Sequence, residues 1–213
     1  MLLALSAQKG WKLYQLDVKL AFLNGFLQEE IYVEQPEGFL VKVKEEKVYK
    51  LKKALYGLKQ APRAWYSRVD VYLQSLGFAK NPSEATLYVK KSDTNIIVVS
   101  IYVDDLLVAG SNEKLVNEFK ADMFKAFEMT DLSLLSYFLG LEVKQNAHEV
   151  FICQQKFAKE ILKKFHMKDC KEISTPMNLK EKFSKEDGAE KVDEGLYRSL
   201  IGCLMYLTAT DRT

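Results

Sequence analysis

Residues 96–110 read IIVVSIYVDDLLVAG, and this stretch decides the fold. Two apolar runs rich in β-branched residues flank Asp104 and Asp105. Runs of that length and composition are strands, and a polar break between them marks a hairpin. The hairpin is expected to carry both acids at its tip. Aspartate is a common turn former, so a plain turn is the competing reading. The apolar surroundings argue against it, because adjacent carboxylates beside an apolar wall repel and cannot both ionise cheaply. A divalent cation removes that cost. Hard carboxylate oxygens favour Mg²⁺, which keeps waters and phosphates as its other ligands.

Upstream, residues 12–20 read KLYQLDVKL and alternate well enough for a strand, interrupted by Asp17. Alone, Asp17 is an ordinary strand-end polar residue. Beside the hairpin it becomes a third carboxylate facing Asp104 and Asp105, the set a two-metal phosphoryl-transfer site needs. Residues 29–35 and 48–51 read as two further strands, and a helix is predicted over 62–76. Pro62 suits its first turn, Gly77 its end, and Trp65, Val69, Tyr72, Leu73 and Leu76 its buried stripe. Residues 85–91 read as a strand preceding the hairpin. A helix over 113–127, capped by Asn112, follows it. Residues 137–144 and 150–154 read as a second hairpin around Asn146, and 155–165 as a helix. Residues 168–192 are polar and read as a linker, and 193–208 as a last helix with Leu196, Leu200, Leu204 and Leu207 on one face. The order contains a βαββα skeleton, an α+β sandwich with helices on one face of an antiparallel sheet.

The chain has 213 residues with 48% hydrophobic and 28% charged content, ordinary globular material. Its formal net charge of +2 excludes a histone-like polycation but hides a pattern. Residues 41–70 carry nine Lys/Arg against three acids, and 154–185 carry nine lysines against four. Residues 101–142 carry eight acids against three lysines. A solvated helix face is the common explanation of one basic block. Two basic blocks around an acidic centre also suit a phosphate polymer approaching a metal-binding carboxylate site. Cys153, Cys170 and Cys203 are scattered, which argues against a disulfide framework or zinc cluster and suits a reducing compartment. No apolar run reaches membrane-spanning length, and the start of the chain does not read as a signal peptide.

Six blocks carry a resemblance: QLDVKLAFLNG (15–25), EEIYVEQPEGF (29–39), LKKALYGLKQAPRAWY (51–66), YVDDLLVAGS (102–111), FEMTDLSLLSYFLGLEV (127–143) and YRSLIGCLMYL (197–207). In this order they closely resemble the reverse transcriptase of copia-type LTR retrotransposon Pol polyproteins. The resemblance implies a right-hand polymerase palm, an RRM- or ferredoxin-like antiparallel sheet with helices on one face, plus a partial helical thumb, with the fingers truncated. Residues 1–153 would be palm with residual fingers and 154–213 partial thumb or connection. Asp17, Asp104 and Asp105 match the catalytic aspartates. With the Val18 carbonyl they would hold two Mg²⁺ ions, or Mn²⁺ in their place.

By the same resemblance, Phe22 matches the aromatic gate that crowds a ribose 2′-OH, although a core phenylalanine is the plainer reading. Gly57, Lys59, Gln60, Ala61 and Pro62 match the loop and helix start that hold nucleotide and template, while Lys59 and Arg63 also fit a solvated basic face. Tyr102 belongs to the same box as the paired aspartates. Phe138, Leu139 and Gly140 match the primer grip, and Lys120 is a looser match to a lysine assisting pyrophosphate departure. The sequence departs from the family pattern at Leu20, at Ser133-Leu134 and at residues 210–213, none of them a carboxylate.

The implied reaction is RNA-directed DNA synthesis, by attack of a primer 3′-hydroxyl on the α-phosphate of a dNTP. The implied partners are an RNA or DNA template with its primer and the integrase and RNase H regions of a polyprotein, with no membrane. The implied setting is a cytoplasmic virus-like particle with a nuclear stage, and no secretion. The runner-up is a catalytically inactive nucleic-acid-binding remnant lacking the fingers. An RRM-like RNA-binding module ranks last, because aspartates stand where stacking aromatics are needed.

Overall fold

The alternation in LYQLDV becomes a strand whose even-numbered side chains are core and whose odd-numbered ones face away from it. The computed structural model describes residues 2–92, 94–146, 149–173, 191–208 and 210. They fall into two units, residues 1–135 with 145–149, and residues 136–144 with 150–213. Five helices and three antiparallel sheets are present among the described residues.

In the first unit, α1 (Leu2–Lys9) precedes β1 (Leu13–Val18) and a 3₁₀ turn at Ala21–Asn24. Two short strands, β2 (Tyr32–Val33) and β3 (Tyr49–Lys50), pair with each other. Then follow α2 (Ala61–Ser75), β4 (Ala79–Lys80), β5 (Leu87–Ser92), β6 (Asn95–Tyr102), β7 (Asp105–Gly110), α3 (Glu113–Ala126) and β8 (Met129–Leu134). The main sheet has the order β4-β5-β6-β7-β1-β8, antiparallel throughout. Helices α2 and α3 cover one face. Trp65, Val69 and Leu73 from α2 and Val116, Phe119 and Met123 from α3 join Tyr14, Leu16, Val18, Val99, Leu106 and Val108 in one core. This is the predicted α+β sandwich.

Local signals explain the helix ends. Asn112 caps α3 by accepting from the Lys114 amide at 2.9 Å, and Gly77 closes α2 at φ 85°. Several expectations need correction. The strand over 29–35 shrinks to two residues, with Pro36 and Gly38 just beyond. The hairpin tip is not Asp-Asp. Tyr102 pairs with Asp105, so the loop is Val103-Asp104 and Asp105 opens β7. The stretch 137–144 is not one strand, and β8 fills a segment that sequence reading left unassigned. β8 pairs with β1 through a register shift between Tyr14 and Leu16, with Ser133 at φ 65°.

In the second unit, β9 (Tyr137–Phe138) and β10 (Leu141–Gln145) form a tight hairpin around Leu139 and Gly140, at φ 48° and 80°. Two positive-φ loop residues are the pattern of a type I′ turn, which matches the strand twist. β11 (Val150–Cys153) lies on the other side of β10, and α4 (Gln155–Lys164) and α5 (Glu194–Leu207) complete the unit. Asp193 caps α5 through the Leu196 amide, 2.6 Å. The Tyr206 hydroxyl of α5 donates to the Leu139 carbonyl, and its ring stands edge-on to Phe157, centroids 4.9 Å apart. The leucine face expected on α5 is not buried, and Leu196 and Leu204 are exposed. Most of the linker expected over 168–192, residues 174–190, lies outside the described residues.

Candidate active site

The site grows from the register of two strands. Asp17 of β1 stands directly opposite Asp105 of β7. Directly opposed residues share a sheet face, with Cβ atoms about 4.5–5.5 Å apart. Tyr14, Leu16 and Val18 face the helices, so Asp17 and Asp105 lie on the face turned away from them. Asp104 sits in the adjoining loop, where its carbonyl accepts from the Val18 amide at 2.8 Å. Three carboxylates predicted from sequence are thus brought to one end of two neighbouring strands.

Two residues that sequence reading missed hold them there. Gln15 lies two positions before Asp17 on the same face and is buried. Its Nε2 donates to Asp105 Oδ1 at 2.7 Å, leaving Oδ2 as that carboxylate's other oxygen. The signal was available: a polar residue at i−2 in an otherwise buried strand shares the aspartate's face. Trp65 of α2, read as a core residue, also donates its indole Nε1–H to the Val103 carbonyl, 2.5 Å.

The electrostatics are those of crowded negative charge. The Asp17 carboxyl is pushed above its ordinary value, first by burial and then by the charges of Asp104 and Asp105. Lys19 pulls the other way, but its Nζ is shared with Glu128 at 3.0 Å. A carboxyl raised in the folded state favours folding while it is neutral, and that contribution is lost as pH rises through its folded value. Asp17→Asn cannot ionise, so it is expected to melt above the parent at pH 7. The gain should be about 1–2 °C, kept small by solvent screening, and should close as pH falls below the carboxylate range. Calorimetry of both chains across pH 3–7 checks this, and an Asp17→Asn chain melting lower at pH 7 would contradict it.

Among the described residues, no three acidic, histidine or cysteine side chains are gathered closely enough to form a finished metal cage. The donors do fit a hard divalent cation in kind: three carboxylates, one of them raised by burial and then by the charges of the other two, with Lys19 acting against that shift.

The other predicted residues divide. Phe22 and Pro62 line an apolar pocket of about 250 Å³ together with Trp65, Tyr66, Thr86, Ile101 and Val103, beside the aspartate loop. Phe22 also packs on Tyr56, ring centroids 4.8 Å apart. Gly57 has φ 89° in the turn before α2, and Gln60 occupies the helix's N-cap position. Lys59 precedes it, and Arg63 is paired with Glu29. Tyr102 closes β6 with half its surface exposed. Phe138, Leu139 and Gly140 form the tight β9–β10 hairpin of the second unit.

Lys120 does not fit the role its loose match implies. It is buried on the helix-covered side, its Nζ 2.9 Å from Asp131 Oδ2 and 4.0 Å from the centre of the Tyr14 ring. Asp131 pairs with Leu16, so this lysine serves the face opposite Asp17.

A family model described as reverse transcriptase (RNA-dependent DNA polymerase) matches residues 1–179. The chain belongs to this reverse transcriptase family. It is 40% identical over 220 aligned positions to the retrovirus-related Pol polyprotein from transposon TNT 1-94 of Nicotiana tabacum, covering 99% of this chain. It is 36% identical to the Pol polyprotein from transposon RE1 of Arabidopsis thaliana over 98% of this chain. A putative transposon Ty5-1 protein of Saccharomyces cerevisiae is 31% identical over 92% of this chain and 64% of its own length. This chain spans 17% of the tobacco protein and 14% of the Arabidopsis one. No helix among its described residues is long and apolar enough to cross a membrane.

Proposed function

We propose that this chain carries the polymerising site of a transposon Pol polyprotein, extending a primer on an RNA or DNA template with dNTPs. The observation that carries the proposal is the cross-strand pair Asp17–Asp105 with Asp104 in the adjoining loop, in a chain of the reverse transcriptase family. The first unit would serve as the palm, and the second, from its tight hairpin onward, would support the primer and begin the thumb.

The reaction is in-line attack of the primer 3′-hydroxyl on the α-phosphate. The new P–O bond forms as the bond to the leaving pyrophosphate breaks, and the hydroxyl proton passes to solvent water. Asp17, Asp104 and Asp105, with the Val18 carbonyl, would hold two Mg²⁺ ions, with Mn²⁺ as a substitute. Bound there, the metals would supply Lewis acidity and charge neutralisation for the triphosphate.

The chain's own groups do the rest. Gln15 occupies one lone pair of Asp105 Oδ1, so Asp105 would hold a metal less freely than Asp104 and Asp17. Phe22, backed by Tyr56, forms an apolar wall where a nucleotide sugar would lie, and would crowd a 2′-hydroxyl there. Lys59 and the basic block around it offer phosphate-directed charge, which makes binding salt-dependent.

The test is primer extension by this chain on a primed RNA template with Mg²⁺ or Mn²⁺, alongside primer–template affinity over a salt series. Extension together with an affinity that falls linearly in log salt supports the proposal. Salt-dependent binding without extension would instead make the chain a nucleic-acid-binding module, and no binding at all would overturn both.

A further inference from the structure

We propose that Trp65 is the positioning residue for the aspartate loop: its indole N–H selects which way the Val103–Asp104 peptide points, and so where the Asp104 carboxylate is aimed. The consequence for metal binding rests on the reading of Asp104 as a ligand given above.

The loop between β6 and β7 has two residues, and two arrangements suit a hairpin that short. Type I′ needs positive φ at both residues, and type II′ at the first alone. Val103 has φ 56°, and Asp104 is not among the positive-φ residues. The loop therefore follows the II′ pattern. The sequence alone does not favour that choice. A β-branched valine is a poor occupant of the left-handed region, where II′ turns prefer glycine. Aspartate tolerates positive φ better than most residues, so I′ is open to this loop as well.

The two forms interconvert by flipping the central peptide, whose carbonyl is Val103 O. That is the atom the Trp65 indole holds, at 2.5 Å. A flip would break this bond and leave a buried indole N–H with no acceptor, a costly state. The indole itself cannot follow the carbonyl. Trp65 is 2% exposed, and its ring meets Phe127 edge-on, centroids 5.3 Å apart and planes at 86°. On the far side of the loop, the Val18 amide donates to the Asp104 carbonyl at 2.8 Å. The Asp104 side chain thus leaves a backbone held on both sides, and the Trp65 bond is made to the carbonyl of the very peptide whose flip separates II′ from I′.

Trp65→Phe in the full chain removes the donor and keeps an aromatic ring against Phe127. The Val18 amide should then exchange with solvent at least about 10-fold faster, while amides of β5 are unchanged. Mn²⁺ affinity by titration calorimetry should fall about 10-fold, the usual loss when a group supporting a ligand is removed. Adding Val103→Gly, which favours II′ without any help, should restore both readouts. Val18 exchange and Mn²⁺ affinity both unchanged in Trp65→Phe would overturn the proposal. So would failure of Val103→Gly to restore either, since that marks a purely packing role for the indole. If Trp65→Phe does not fold, the unaltered chain still decides. Its Trp65 indole proton should exchange at least about 10-fold more slowly than that of the partly exposed Trp11, and equal rates would overturn the proposal. Asp104→Asn separates the two claims. If it leaves Mn²⁺ affinity intact while Trp65→Phe still loosens Val18, the metal reading fails and the loop assignment stands.

Discussion

Asp104→Asn is expected to abolish primer extension while the chain stays folded. The substitution keeps the side chain's shape and removes its charge and one anionic oxygen. Asp104 lies in a loop, away from the core formed by Leu16, Val18, Leu106 and Val108, so nothing buried is disturbed. The backbone bond from the Val18 amide to the Asp104 carbonyl is untouched. Removing a like charge near Asp17 also relieves part of the crowding that raises the Asp17 carboxyl, so stability should hold or rise slightly. Activity should not survive. A metal's stabilisation of the reacting phosphoryl group is worth several kcal/mol, and at about 1.4 kcal/mol per decade its loss costs on the order of 10³-fold in rate. Single-nucleotide extension rates for parent and variant, with melting curves of both, make the comparison. Extension at the parental rate would remove Asp104 from the reaction.

Gly25→Ala is expected to show the opposite profile, a large loss of stability from a residue that does no chemistry. Gly25 has φ −75°, so its requirement is space and not an unusual backbone. A Cβ there would lie 2.5 Å from the Trp65 nitrogen and 2.6 Å from the Ala64 carbonyl carbon. Both are backbone atoms of α2 and cannot rotate away. The Gly25 amide donates to Phe22 O, and its carbonyl accepts from the Ala54 amide at 2.9 Å, so the loop cannot retreat either. Overpacking of this kind costs about 3 kcal/mol. For a chain of this size that corresponds to a melting point lower by about 6–12 °C. Thermal or urea unfolding measures it, and a variant melting within about 1 °C of the parent would mean that the 3₁₀ turn and α2 do not meet as described. Because the clash is at Trp65 itself, the substitution should also loosen the aspartate loop.

Much of this fold is legible in the sequence. Strand β1, the β6–β7 hairpin, α2 and α3 follow from strong period signals with caps at Asn112 and Gly77, and a third acid in β1 is enough to place Asp17 opposite the hairpin. What could not be read has definite physical causes. β8 keeps only Met129 buried, so it lacks the apolar alternation that announces a strand, and its pairing depends on the edge β1 offers. The loop falls at Val103-Asp104 because tertiary bonds from Trp65 and Val18 outweigh a local propensity that favours Asp-Asp. Trp65 reads as core filling, and its indole N–H matters only because the fold places the Val103 carbonyl within reach, which linear spacing does not show. Gln15 shares the face of Asp17 by its i−2 spacing, but its bond to Asp105 depends on the β1–β7 register. The Leu139-Gly140 turn was hidden inside an apolar run because leucine at positive φ is no local turn signal.

The two rims of the six-stranded sheet carry a consequence for crowding. One rim is β4, two residues long and ending in Lys80. The other is β8, kinked by its register shift and by Ser133. Neither presents the long, flat row of free backbone donors and acceptors onto which another copy's strand could add. Copies of this domain held together at high local concentration should remain separate sheets and not seed a shared, fibril-like one.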